Sequence, residues 1–395
     1  MKTILILGAG FGQVPAIKKA KNLGMRVVCI DKNPKAQGMR LADYAYDIDI
    51  IDFNGALEIA KKHQVNGVMT MQSDIAVPTM GYINDQLKLN GVSLDVANAC
   101  SNKTETRKRL AKHNCAQPLF EIVENLKDTV DSVGKIGYPC IIKAPDSSGS
   151  RGVVKVNSSK EVKSAFEEAK KYSRIGLVLV EEFIEGLEFG AQTFSVDGEC
   201  VCVLLHGDTM SAPPFMIPIG HSLPFTMLNE QDKKNAIEDI KNAIDTLGIK
   251  NGPANVDLIL DKKTNRVKII EIGARIGATC LPELVHYHTG IDWIKQTILN
   301  AIGETVNLKL TSVKPVAALI VQAPKNGVYR GYEIQDKKYL EVLLEFEITC
   351  EIGEYVSELR KGTDRIGKVL AYGKNVNDAE KKVMDLTKKI KFKID

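Results

Sequence analysis

Two periodicities alternate along the chain. Unbroken apolar runs of four or five residues read as buried strands, and apolar residues three and four apart read as helices laid against them. Thr3-Ile4-Leu5-Ile6-Leu7 is the first such run, followed by Gly8-Ala9-Gly10-Phe11-Gly12-Gln13. Pro15 and Gly24 bracket a helix with Ile17, Ala20 and Leu23 inward, and Arg26-Val27-Val28-Cys29-Ile30 is a second strand ending in Asp31. The pattern then predicts a helix over 54–63, a strand at Gly67-Val68-Met69-Thr70, Gln72-Ser73-Asp74 ahead of another helix, and a helix over 103–113. Residues 122–134 read as helical and 138–143 as a strand ending in Lys143. A polar loop over 146–152 precedes the strand Val153-Val154-Lys155-Val156. Ser158 and Glu161 form a capping box for a helix carrying Val162, Ala165, Phe166 and Ala169. Residues 177–188 pass from strand to turn to strand.

From Phe189 the alternation is that of antiparallel strands, up to Leu205. A loop is predicted over 206–219, containing Pro213 and Pro214, and an amphipathic helix over 231–247 stops at Gly248. A helix over 292–302 follows, and 312–395 holds further strands. The last helix is expected to be capped by Asn377 with Glu380, with a stripe of Val383, Leu386 and Ile390.

One hairpin stands out. A strand from Ala254 to Leu260 carries a lone acid, Asp257, and a second carries Val267, Ile269, Ile270 and Ile272 around Glu271. Asp261-Lys262-Lys263-Thr264-Asn265 between them is turn chemistry. Paired positions in an antiparallel hairpin have a constant sum, so a turn centred near Thr264 puts Asp257 opposite Glu271, with Cβ atoms roughly 4.5–5.5 Å apart. Two facing carboxylates repel unless a hard cation that takes oxygen ligands joins them, and Mg²⁺ carrying nucleotide phosphates is the usual case. A regular strand would put Gly273 and Arg275 on the same side as Glu271. The plainer reading is a partly exposed hairpin with scattered charges.

Composition narrows the class. A chain of 395 residues suggests two or three domains, and 44% hydrophobic with 26% charged residues is ordinary globular usage. The net charge of +4 is small and its basic residues are dispersed, which argues against nucleic acid as a partner. No apolar run approaches the ~20 residues of a membrane helix, and the start has no signal-peptide architecture. The eight cysteines contain no Cys-x-x-Cys pair, so neither zinc nor a disulfide framework is indicated, and a cytoplasmic location with reduced thiols is expected.

Several stretches carry candidate chemistry. The glycine turn with Asp31 about twenty residues on suggests a dinucleotide site, but Gln13 holds the third glycine position, and a turn lining another small ligand is the better reading. Gln72, Ser73 and Asp74 at a strand's carboxyl end read either as ligand contacts or as helix caps. The Ser/Gly loop offers bare backbone N–H groups for phosphate, yet no Gly-Lys-Ser/Thr follows and no helix opens from it, so it is not a P-loop. The acid-flanked turn 181–188 reads either as a nucleotide-holding hinge or as an ordinary connection.

The order of these parts is more specific than any one of them. Asn102-Lys103 with Arg107, the strand ending in Lys143, the Ser/Gly loop, Glu181-Glu182-Phe183-Ile184-Glu185-Gly186-Leu187-Glu188, Asp257 and Glu271-Ile272-Gly273-Ala274-Arg275 together resemble the ATP-grasp superfamily over essentially the whole chain. The similarity is to members like the amino-acid ligases, the carbamoyl-phosphate synthetase large chain and biotin carboxylase. It implies an α/β and α+β fold: a Rossmann-like pre-ATP-grasp domain over 1–115, a lid subdomain over 116–188, a catalytic subdomain over 189–311, and a strand-rich carboxy-terminal domain over 312–395.

The resemblance also implies roles. Lys103 and Lys143 would hold the phosphates of ATP, with Ser147, Ser148, Gly149, Ser150 and Gly152 closing over them. The main chain of Glu181, Glu182, Phe183 and Ile184 would read adenine, and Glu188 the ribose. Asp257 and Glu271 would ligate Mg²⁺ or Mn²⁺, and Arg275 would stabilise the transferring phosphoryl group. Gly10, Gln13, Ser73, Asp74 and Thr279 would face substrate, and the glycine turn would not bind NAD. Two departures matter. Gly273 stands where many members have a metal-binding Asn, so water must fill that position or a second ion is held less tightly. No lysine lies between Val201 and Gln231 to meet the terminal phosphate, which leaves His221 or His206, with His221 favoured. The implied activity joins a small-molecule carboxylate to an amine through an acyl phosphate, releasing ADP and phosphate, in a chain compatible with a homodimer. A bicarbonate-using carboxylase or carbamoyl-phosphate type of enzyme is the alternative. An NAD-dependent oxidoreductase and an inactive nucleotide-binding regulator are disfavoured by Gln13 and by the intact Asp257, Glu271 and Arg275.

Overall fold

A computed structural model describes residues 1–147, 151–212, 217–335 and 337–395. Ser148, Gly149 and Ser150 of the polar loop and Pro213 and Pro214 of the later one lie outside the described residues. In chain order the first elements are β1 (Thr3–Leu7), α1 (Val14–Asn22), β2 (Arg26–Ile30), β3 (Tyr44–Tyr46), α2 (Phe53–Lys62), β4 (Gly67–Met69), α3 (Val77–Leu87), α4 (Leu94–Ser101) and α5 (Lys103–Lys112). Next come β5 (Phe120–Val123), α6 (Leu126–Ile136), β6 (Cys140–Lys143), β7 (Val153–Val156), α7 (Val162–Tyr172), β8 (Val178–Glu182), β9 (Gly186–Val196), β10 (Glu199–Met210) and β11 (Pro218–Leu223). The chain continues with α8 (Glu230–Leu247), β12 (Gly252–Asp261), β13 (Arg266–Gly273), α9 (Leu281–Thr289), α10 (Trp293–Ala301), β14 (Val316–Gln322), β15 (Gly327–Ile334), β16 (Leu343–Ile348), β17 (Tyr355–Val356), β18 (Arg365–Tyr372), α11 (Val376–Thr387) and β19 (Ile390–Ile394). The α/β and α+β expectation holds. Among the described residues no helix is long and apolar enough to cross a membrane.

Two compact units divide the chain. The first comprises Met1–Val203, Glu230–Gly277 and Ile294–Asn307. Its opening sheet is parallel in the order β3-β2-β1-β4, and every residue of β1 is buried, as a strand covered on both faces requires. The glycine turn after β1 is tied down from within: Ala9 N–H donates to Asp31 Oδ2 at 2.8 Å and the buried Gln13 amide donates to the Met71 carbonyl at 2.7 Å. A second sheet, β5-β8-β6-β7, packs α6 and α7 over a core of Val133, Ile142, Phe166 and Val180. In the third, β12 lies antiparallel between β9 and β13.

The second unit comprises Leu204–Asn229, Ala278–Trp293 and Leu308–Asp395. Within it β11 pairs the end of β10 and β14, β14 pairs β18, and β18 pairs β16, all antiparallel. Helix α11 covers a core of Ala317, Val369, Val383 and Leu386, and β15 pairs β17 and β19.

Four details differ from the sequence reading. Residues 122–134 are not one helix: β5 ends at Val123, and Asn125 caps α6 by accepting from Asp128 N–H at 3.0 Å. The β-branched Ile122 and Val123 pair with β8, and that tertiary pairing overrides the local helical pattern. The loop expected over 206–219 is shorter, because β10 runs to Met210 and pairs with β11. The last helix is capped by Asn375, which accepts from Asp378 N–H at 2.9 Å, rather than by Asn377. It also ends at Thr387, so Ile390 belongs to a strand.

The capping difference is directly measurable. Asn375→Ala should cost about 1 kcal/mol of unfolding free energy, while Asn377→Ala should change little. Denaturant melts of the two variants check this, and equal losses would contradict the assigned cap.

Candidate active site

The first unit gathers most of the expected residues around three backbone features: the start of α5, the ends of β6 and β8, and the end of β13. In α5, Lys103 and Arg107 are four apart and so share one helix face. Asn102 caps the helix by accepting from Thr104 N–H at 3.0 Å. Lys103 Nζ donates to Glu271 Oε1 at 3.0 Å and to the Ser147 carbonyl at 2.9 Å, joining the end of β13 to the stem of the polar loop. Burial works against its charge, but Glu271 outweighs burial and holds the Lys103 ammonium above the ordinary lysine range. The loop's stem is closed by Ala144 N–H to the Gly152 carbonyl at 2.9 Å, and the Asp146 carboxylate accepts from Arg174 and Ile175 N–H.

Below this lies a buried ion network. Arg107 Nε donates to Glu181 Oε1 at 2.6 Å, and Lys143 Nζ sits 2.7 Å from Glu181 Oε2. The other two guanidinium nitrogens donate to the Ile269 and Ile270 carbonyls at 3.1 and 2.9 Å. Burial alone would raise the Glu181 pKa; Arg107 and Lys143 outweigh it and bring it down to about 2. Burial pulls Lys143 down to about 8, with Glu181 opposing and Arg107 and Lys103 adding to the fall. Glu181 was expected to contribute main-chain atoms alone. Its side chain instead anchors the expected phosphate lysine, and Arg107 is the partner that lets this buried carboxylate stay charged.

The hairpin brings Asp257 opposite Glu271 as expected, though by another route. Asp261 pairs with Arg266, which centres the turn between Lys263 and Thr264; that register alone would set Asp257 against Ile270. A bulge between Asp257 and Leu258 leaves Ile270 as an extra residue on β13 and restores the carboxylate pair. Asn255 Nδ2 donates to Asp257 Oδ1 at 2.9 Å. Two facing carboxylates, one of them already holding an ammonium, form an oxygen donor set suited to a hard divalent cation.

Beyond Gly273 the strand ends, and Arg275 N–H turns back to the Gly273 carbonyl at 2.8 Å. Arg275 Nε lies 2.8 Å from Asp74 Oδ1, and its Nη2 donates to Asp74 Oδ2 at 2.8 Å. A Cβ at Gly273 would come within 2.7 Å of Asp74 Oδ1, so a side chain there would meet the space this ion pair fills. Burial opposes both charges, yet each group holds the other ionised. Asp74 is therefore neither a simple helix cap nor isolated, while Ser73 precedes its short helical turn without a side-chain cap bond.

In the hinge, Glu182 N–H donates to Leu119 O at 2.9 Å and Phe183 N–H to Pro139 O at 3.3 Å. Lys155 Nζ stands 3.6 Å from the Phe183 ring centroid. Ile184 is buried and Glu188, opposite Ile259, is exposed. A Cβ on Gly186 would fall 2.0 Å from the Leu260 carbonyl, so the close strand approach here admits only glycine. A Cβ on Gly10 would come within 3.3 Å of Gln13 Oε1, and one on Gly8 within 3.2 Å, so the Gln13 side chain packs against both glycines.

In the second unit, Asp208 and His221 are cross-strand partners, and His206 lies two residues before Asp208 on the same face. His206 and His221 each place Nδ1 on Asp208 Oδ1, at 2.8 and 2.6 Å. Burial pushes the His206 pKa down despite the carboxylate. His221 is thus oriented by an acid that sequence reading did not connect with it. Thr279 is buried with φ +53° and Cys280 follows at +66°, so these two make the left-handed turn before α9.

Residues 136–283 match the ATP-grasp domain family. A formate-dependent phosphoribosylglycinamide formyltransferase from Saccharolobus solfataricus is 26% identical, across 97% of this chain and 95% of that one. The N-terminal section of a carbamoyl phosphate synthase large chain from Methanopyrus kandleri is 23% identical, across 69% of this chain and 52% of that one. Among solved structures, a phosphoribosylglycinamide synthetase from Anaerococcus prevotii superposes with a TM-score of 0.84 at 27% identity, covering all of both chains.

The depressed Lys143 pKa sets a pH dependence. A phosphate group binds the charged lysine, the form present below about 8, and loses it as pH rises through that value. Affinity for a nucleotide polyphosphate should fall about tenfold between roughly pH 7 and pH 9. Lys143→Gln should bind more weakly at neutral pH and show a flatter profile in calorimetric titrations with ADP. A wild-type profile that is flat over this range would contradict the assignment of Lys143 to phosphate.

Proposed function

We propose that this chain, which carries an ATP-grasp domain, is an ATP-dependent carboxylate–amine ligase that forms an amide through an acyl phosphate and releases ADP and phosphate. The observation that carries the reading is the bulge-corrected pairing of Asp257 with Glu271 beside the cation Lys103. Such a set is a place to assemble negative charge, not to transfer hydride. The relatives support the same chemistry: formate is a carboxylate, and the formyltransferase and the synthetase are both named for phosphoribosylglycinamide.

Physical reasons favour a phosphorylated intermediate. A carboxylate is a poor electrophile, and direct amide formation in water is uphill. Attack of a carboxylate oxygen on the terminal phosphorus of ATP breaks the bond to ADP and makes the acyl carbon electrophilic. An amine nitrogen then attacks that carbon, phosphate leaves, and the amine gives up a proton. Asp257 and Glu271 would hold Mg²⁺ or Mn²⁺, which when bound would offset charge on the nucleotide phosphates. Lys103 and Lys143 are assigned to the phosphates, and Arg275, kept in place by Asp74, to the phosphoryl group in transit. The stem of the polar loop, pinned by Lys103 and Asp146, is where a cover over the phosphates would be hinged. Hinge residues 181–184 are assigned to adenine and Glu188 to ribose. The substrates are small molecules, and the acid and the amine are assigned by class alone.

The carbamoyl phosphate synthase relative favours a second reading, in which bicarbonate is the carboxyl substrate. Both begin with phosphoryl transfer to a carboxyl oxygen, so ATP use does not separate them. Hydroxylamine does, since it intercepts an acyl phosphate as a hydroxamate. In bicarbonate-depleted buffer, a panel of carboxylic acids with ATP should yield a hydroxamate from at least one acid, with matching ADP. Asp257→Asn and Glu271→Gln should lose this activity while keeping the wild-type circular dichroism spectrum. ADP formation driven by bicarbonate with no hydroxamate from any acid would favour the second reading, and normal turnover in either variant would remove the metal assignment.

A further inference from the structure

Arg107 is fully buried and so is placed to act through other residues. Its bonds run in two directions. One nitrogen holds Glu181, whose second oxygen holds Lys143. The other two hold the carbonyls of Ile269 and Ile270. Those carbonyls belong to consecutive residues at the bulge of β13. In a regular strand, neighbouring carbonyls point to opposite edges, so one planar fork reaches both only where the chain is kinked. The contact therefore selects the bulged backbone at this position.

The location of the bulge has a chemical consequence. The turn at Lys263 and Thr264 sets a register in which Asp257 meets Ile270. Were the bulge to slip toward the end of β13, Glu271 would pair one position further along, opposite Val256, and its carboxylate would move to the other face of the sheet. Building on the proposed function, we infer that Arg107 is a positioning residue with two separable arms. One arm fixes the bulge that aligns Glu271 with Asp257, and the other holds Glu181 so that Lys143 stays in place for phosphate.

The test reads binding instead of turnover. Mn²⁺ bound with ADP on the protein is measured by water-proton relaxation enhancement, with protein-free Mn–ADP as the reference. ADP binding without metal is measured by calorimetry in EDTA. Arg107→Lys keeps the charge near Glu181 but cannot fork to both carbonyls. It should weaken Mn²⁺ by about tenfold or more, the scale of a lost outer-shell partner, with metal-free ADP close to wild type. Glu181→Gln should do the reverse, weakening metal-free ADP by about tenfold and sparing Mn²⁺. Equal loss of both ligands in Glu181→Gln, or wild-type Mn²⁺ affinity in folded Arg107→Lys, would overturn the inference. If Arg107→Lys does not reach the native state, the Glu181→Gln pattern decides alone. Asp257→Asn separates this inference from the reading beneath it. Mn²⁺ lost in Asp257→Asn but kept in Arg107→Lys leaves the proposed function standing and removes only the role of Arg107. Mn²⁺ bound equally by wild type and Asp257→Asn removes both.

Discussion

The site in the first unit rests on a buried carboxylate shared by two cations. Glu181 holds Arg107 on one oxygen and Lys143 on the other, with all three side chains nearly out of water. Each charge taken alone would cost several kcal/mol to bury, and the network is tolerable because every member has a partner and Arg107 uses its remaining donors on main-chain carbonyls. That arrangement ties four elements together: α5 through Arg107, β6 through Lys143, β8 through Glu181, and β13 through Ile269 and Ile270. Ion networks of this kind are weak evidence of stability but good evidence of position, because a partner that drifts leaves an unpaired charge behind.

A second ion pair repeats the logic at the far end of β13. Asp74, from the loop after β4, and Arg275 meet above Gly273, and the absent side chain at Gly273 is what leaves them room. The glycine that departs from the ATP-grasp pattern is therefore not simply a missing ligand. Here it accommodates a carboxylate brought in from another part of the first unit. Arg275 is held ready as a charged group whose orientation does not depend on a bound anion.

Much of this was legible in the chain and some was not, for definable reasons. Strands such as Thr3–Leu7 and Arg26–Ile30 were plain because a buried run has no competing pattern. The pairing of Asp257 with Glu271 was reached from a turn taken one half-residue off, and the bulge at Ile270 made up the difference. Bulges of this kind are set by tertiary contacts, here the fork of Arg107, and no local signal marks them. The spacing of Lys103 and Arg107 on one helix face was visible and could have flagged a shared role. Their partners Glu271, Glu181 and Ile269 lie 74 to 168 residues away and could not. The pairing of Asp208 with His221 was hidden by reading 206–219 as a loop, since Pro213 and Pro214 mask the strand ends on either side.

In the proposed reaction a carboxyl oxygen attacks phosphorus before any amine attacks carbon, and the fate of that oxygen can be followed. The acid substrate is supplied with both carboxyl oxygens as ¹⁸O, turned over with ATP and the amine, and the released phosphate is analysed by ³¹P nuclear magnetic resonance for the isotope shift. The acyl-phosphate route places one labelled oxygen in each inorganic phosphate and leaves the other in the amide. Unlabelled phosphate alongside normal amide formation would contradict it.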